Sequence, residues 1–132
     1  MSYVGVVVEE SLRDRRVLER LRIVSTEVEP VTDAHGTPWL RQWTLHTVEI
    51  ADDEAAAVAD LLSDALAPDY WYADFRNQVY HYVVFPQKIF VVDRSAPEQY
   101  SPVVEHGLGL GIPDYQLDFS PAIAQWQRPE EG

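Results

Sequence analysis

The chain has 132 residues, about one domain's worth, and contains no cysteine, which excludes a disulfide framework, thiolate metal ligands and a thiol nucleophile. Twenty-two acids against ten bases give a net charge of −12. Such a field repels nucleic acid and anionic membrane surfaces, so neither is expected as a partner. Hydrophobic residues at 46% and charged residues at 24% are ordinary globular usage, and no stretch approaches the ~18 apolar residues of a membrane span.

Tyr3-Val4-Gly5-Val6-Val7-Val8 ends in Glu9-Glu10, which reads as a first strand rather than a signal peptide, so a cytoplasmic protein is expected. Arg13, Arg15, Arg16, Arg20 and Arg22 then crowd one stretch, whereas residues 42 to 75 carry no Lys or Arg. This is the pattern of two oppositely charged solvated faces. Residues 17–29 and 39–50 have strand chemistry and flank a turn-rich loop, Thr32 to Pro38, so a long hairpin is predicted.

The clearest helix is 53–66. Asp52 is a good N-cap residue, and Val58, Leu61, Leu62, Ala65 and Leu66 form an apolar stripe opposite Asp53, Ala57, Asp60 and Asp64. Val79 to Phe85 and Lys88 to Asp93 flank Pro86-Gln87. Proline does not fit a primed two-residue turn, which predicts a longer or bulged connection between two strands that lie centrally and are covered on both faces, or whose one face meets another subunit. Ser95-Ala96-Pro97-Glu98 has the capping-box pattern of a second helix. Pro102 implies either a kink or a single turn followed by a new helix, ended by Gly107 or Gly109. Tyr115, Leu117 and Phe119 alternate as a short last strand, and residues 121–132 read as a tail.

The expected fold is therefore α+β: one domain over residues 1–120, with an antiparallel sheet and two β-hairpin–helix units whose helices pack on one face.

Several segments also resemble a family of small bacterial and archaeal proteins. They are Trp39-Leu40-Arg41-Gln42-Trp43-Thr44-Leu45-His46-Thr47-Val48-Glu49-Ile50, Trp71-Tyr72-Ala73-Asp74-Phe75-Arg76-Asn77, Tyr80-His81-Tyr82, Lys88 to Arg94 and Gly111 to Phe119. The likeness runs from residue 3 to 119 and departs at Pro102. It implies no activity, cofactor or catalytic residue.

Phosphate loops, nucleophile elbows, His-Glu-x-x-His and EF-hand loops are absent. Two histidines, His46 and His81, sit mid-strand among apolar residues, where each imidazole needs partners. Tyr80 and Asp93 become cross-strand neighbours if the hairpin closes simply. His46, His81 and Asp93 are the candidate catalytic groups, and Trp71, Tyr72, Asp74 and Tyr80 the candidate ligand-binding wall of one shared cleft. A His/His/carboxylate metal site would have to recruit Asp74 or another loop acid and is not favoured, and no cofactor is expected. The sequence thus supports a small-molecule-binding domain, with enzymatic His/Asp/Tyr acid–base chemistry open to it. The alternative is a non-catalytic homodimer assembled through Trp39, Trp43 and the apolar hairpin.

Overall fold

The structure, a computed structural model, describes residues 2–32, 37, 39–113, 116 and 117. The last strand expected around Tyr115 to Phe119 lies largely outside these residues, as does the tail 121–132.

Six strands form one antiparallel sheet: β1 (Ser2–Val8), β2 (Arg22–Pro30), β3 (Gln42–Ala51), β4 (Ala73–Arg76), β5 (Tyr80–Phe85) and β6 (Lys88–Asp93), in the order β2-β3-β1-β4-β5-β6. With α1 (Ala55–Ala65) and α2 (Ser101–Gly109) this is an α+β fold. The valine-rich β1 takes a central place, paired to β3 on one side and β4 on the other. β2 and β3 form the expected hairpin, although Arg15–Arg20 is a 3-10 turn and the strand begins only at Arg22. β4 has no counterpart among the predicted elements. Its four residues alternate Ala73 and Phe75, both buried, with Asp74 and Arg76.

Helix α1 forms where alanines favour helix and Ala55, Val58, Ala59, Leu62 and Ala65 recur on one buried stripe. Asp52 does not cap it. Asp52–Glu54 make a 3-10 lead-in with no side-chain cap, and their charges lie at the positive helix end. The expected capping box is likewise unformed. The Ser95 hydroxyl donates to Asp93, Pro97–Tyr100 make one 3-10 turn, and α2 starts afresh with Pro102 in its first turn.

The β5–β6 connection corrects the predicted longer loop. It is a two-residue turn in which Gln87 adopts φ +60 after proline's negative φ, the sign pattern of a type II turn. The α1 residue Ser63 holds it, its hydroxyl donating to the Phe85 carbonyl and its own carbonyl accepting from Gln87 N–H. These strands are not central: β6 is an edge.

Strand parity separates two sides of the sheet. Tyr3, Val48, Ile50, Phe75 and Val84 pack with α1 in one core, while Val83, Phe85 and Val92 pack with Val103, Ile112 and Leu117 around α2 in another. Val83 and Val84 are adjacent and point oppositely, so the helices cover opposite faces. Placement of both helices on one face is thereby corrected. On the α2 face the helix lies over β5 and β6, and no described helix covers Val4 and Val6 of β1; Val4 is 40% exposed.

Candidate functional site

On the α2 face the register brings polar groups into line. Val6 stands opposite Asp74, Asp74 opposite Val83, Val4 opposite Arg76, and Arg76 opposite His81. His81 is 1% exposed, and both its ring nitrogens are satisfied. Nε2 lies 2.7 Å from Asp74 Oδ2, and Nδ1 lies 2.9 Å from the Tyr100 hydroxyl. If Nε2 carries the ring proton it donates to Asp74, and Nδ1 then accepts from the Tyr100 hydroxyl. Burial is the main reason the Tyr100 pKa is raised, which Asp74 reinforces and Arg94 and Arg76 oppose. Its phenol therefore stays protonated at neutral pH, and the chain Asp74–His81–Tyr100 can pass a proton between a carboxylate and a phenol.

Asp74 also lines a cleft with Val6, Val8, Trp43, Tyr70, Trp71, Tyr72 and Gln116. Val6, Val8 and Trp43 belong to the same sheet face by register. Trp43 and Trp71 meet with centroids 5.4 Å apart, and the Trp43 indole N–H donates to Thr37. The Tyr72 hydroxyl donates to the Gln116 carbonyl. At about 30 Å³ the cleft has room for about one water. Larger hollows of about 400 and 370 Å³ lie elsewhere, open and rimmed largely by charged side chains beside α1. Few groups there converge, and we place the site at the smaller cleft because its buried polar chain is built.

Tyr70, at the mouth, has φ +74, a left-handed conformation that aromatic residues rarely adopt. Its ring lies on Gly111 and beside Trp39, and its N–H donates to the Leu110 carbonyl. Strain of this kind, of order 1–3 kcal/mol, persists only where surrounding contacts impose it.

The expected single cleft is half assembled. Asp74, His81, Trp71 and Tyr72 come together, whereas His46, Tyr80 and Asp93 point to the other face. There His46 sits between Thr26, 2.9 Å from Nδ1, and Glu9, 2.8 Å from Nε2, a satisfied structural arrangement. Tyr80 and Asp93 are the cross-strand neighbours that simple closure predicts. Asp93 is spent on a turn, accepting from the Ser95 N–H and hydroxyl, and these bonds, the hydroxyl's first, lower its pKa.

Sequence reasoning missed Tyr100, Arg76, Arg94, Tyr70 and Gln116 as site residues. Only Arg76 carried a signal, its alternation with Asp74 along one strand. Among the described residues no three His, Cys, Asp or Glu side chains converge to hold a metal, and no helix is long and apolar enough to cross a membrane.

The fold and site define an antiparallel α+β domain with a part-buried Asp–His–Tyr chain beside an aromatic cleft. Comparison with protein-family models, curated proteins and solved structures finds no match to this chain.

Proposed function

We propose that this protein is a small-molecule-binding domain whose ligand lies on the uncovered part of the α2 face, with Asp74, His81 and Tyr100 supplying acid–base capacity. One observation carries the reading. A single carboxylate, Asp74, both lines the aromatic cleft and orients a buried histidine whose other nitrogen holds a phenol. A core gains little from three such groups, since each left unsatisfied would cost about 1–3 kcal/mol.

A thermal-shift survey of small acids, phenols and nucleosides tests this, because binding to the native state raises the midpoint. A compound that stabilises the wild-type chain but neither Asp74→Asn nor Tyr100→Phe supports the site. Variants that lose stability and binding in step would return the three residues to the core.

A second reading is a homodimer, for which β2 offers an exposed edge. Of the surfaces the sequence suggested, Trp43 is buried at 3% exposure, whereas Trp39 and the hairpin residue Val91 are exposed. β2 is an edge strand with Ile23, Val24 and Val28 exposed, and Val24 is the extra residue of a bulge between Ile23 and Ser25. A two-fold axis at Thr26 is one register that keeps every side chain on its own face across two such strands. It sets Ile23 against Val28 of a second copy, and Arg22 against Glu29. Sedimentation equilibrium of the wild-type chain and Val28→Lys decides: a dimer lost in the variant supports this edge, and a monomer at high concentration removes it.

A further inference from the structure

Two arginines stand at one end of the site. Arg76 projects from β4 on the α2 face, two residues from Asp74 and opposite both Val4 and His81. Arg94 reaches back across β5 and donates from Nη1 to the carbonyl of Asn77, the residue that follows Arg76. Both side chains are half-buried. Among the described residues no carboxylate lies within ion-pair distance of either one, in a chain of net charge −12. The acid next along the strand, Asp74, is occupied with His81 at 2.7 Å. Glu49, beside Val4, is taken by Arg22 at 3.3 Å.

Bringing two guanidiniums to one half-buried place costs desolvation and mutual repulsion. Both effects are visible at Arg76, whose pKa is lowered chiefly by burial and further by Arg94, while Asp74 opposes the shift. Among the exposed arginines, Arg15 pairs with Glu9, Arg16 with Asp14 and Arg22 with Glu49, while Arg13, Arg20 and Arg41 have no described carboxylate partner but keep their solvent, which half-buried Arg76 and Arg94 partly lose. An anion seated between Arg76 and Arg94 would supply a countercharge that no described residue supplies, with guanidinium forks suited to a carboxylate or phosphate. From there the α2 face runs along β4 through Asp74 to Tyr72, in steps of about 7 Å for every second residue. Val4, Val6 and Val8 lie alongside it on β1.

We infer that the ligand carries an anionic group, carboxylate or phosphate, held by Arg76 and Arg94, and an apolar, planar body laid over Val4 and Val6 toward Trp71 and Tyr72. This rests on the binding-site reading above and adds the ligand's charge and its direction in the groove. Tyr100 and His81 then stand beside the anion's attachment point, where a proton would be given or taken.

Calorimetric titration of the full chain with 2-naphthoate, 2-naphthyl phosphate and the neutral 2-naphthamide tests the inference. At least one anion is expected to bind about tenfold or more tighter than the amide, a preference that Arg76→Gln and Arg94→Gln each reduce sharply. The tighter of the two anions identifies carboxylate or phosphate. Equal binding of amide and anions, or a preference unchanged in both variants, overturns the inference and leaves the cleft as a neutral-ligand site. If all three probes fail while a neutral compound in the thermal-shift survey depends on Asp74 and Tyr100, the anion alone is wrong. If nothing in either experiment binds, both proposals fall. Should a variant not fold, the wild-type chain still decides. Raising ionic strength must weaken the anion and leave the amide unchanged, and an anion insensitive to salt contradicts the assignment.

Discussion

Gly5 shows how closely the strands beneath the site are fitted. A Cβ there would overlap the Asp74 carbonyl and the Phe75 Cα and Cβ, so β1 and β4 pair only because the residue has no side chain. Gly5→Ala is expected to cost about 3 kcal/mol or more in urea unfolding, with backbone rather than a flexible side chain forced to move. His106 is the opposite case, a group the fold tolerates poorly. It packs edge-on against Phe85 and Phe90, and its Nε2 is buried with no hydrogen-bond partner among the described residues. Desolvation first, and Lys88 second, lower its pKa below the usual 6.5. As pH falls through 6.5 the unfolded chain takes up this proton before the folded one, so stability present above that value is lost progressively below it. His106→Phe should flatten that acid-side slope and raise stability by about 1 kcal/mol, measured by urea unfolding as a function of pH. An unchanged slope in the variant would place the acid sensitivity elsewhere. At this scale the sequence marked His46 and His81 alike, since both are mid-strand histidines among apolar neighbours. What separates them is the partner set, Glu9 and Thr26 against Asp74 and Tyr100, and two of these four, Glu9 and Tyr100, come from outside the strand next in sequence.

Among the elements, the segment from Tyr70 to Tyr72 shapes the site, and its conformation is imposed from outside. Tyr70 N–H is bound by Leu110, the Tyr72 hydroxyl by Gln116, and the Tyr70 ring rests on Gly111, itself at φ +89. Gly111→Ala meets two obstacles, a backbone conformation that L side chains rarely adopt and the Tyr70 ring 2.6 Å from the new Cβ. We expect a loss of about 1–3 kcal/mol together with altered tryptophan fluorescence, as Tyr70 leaves Trp39 and the cleft mouth. A destabilised variant with unchanged fluorescence would show that Tyr70 is not held by this glycine. The long elements were readable in the sequence because their periodicity is strong: the β2–β3 hairpin, α1 and the β5–β6 pair. β4 was not, since four residues with two charges carry too little pattern. The β5–β6 turn was misjudged because Ser63, distant in sequence, stabilises a positive φ at Gln87 that local chemistry disfavours. The same limit explains why Asp52 and Ser95, both good caps by type, cap nothing here.

For the whole molecule, the sheet is the partition. The α1 face holds the larger core and keeps His46, Tyr80 and Asp93 away from the proposed site. The α2 face carries the smaller core at β5 and β6 and leaves the β1 side open, so the sheet's own centre becomes a floor on which a ligand can lie. That division could not be read from residue order, because it depends on β1 entering between β3 and β4 and on α2 crossing to the other side. Two-dimensional amide NMR of the full chain, titrated with a library of small aromatic fragments, tests the central claim most directly. The account predicts shifts confined to Val4, Val6, Trp43, Trp71, Tyr72, Asp74, Arg76, His81 and Tyr100, with the neighbourhoods of His46 and Asp93 silent. Shifts gathered around His46, Tyr80 and Asp93, or no saturable shifts on the α2 face, would contradict it.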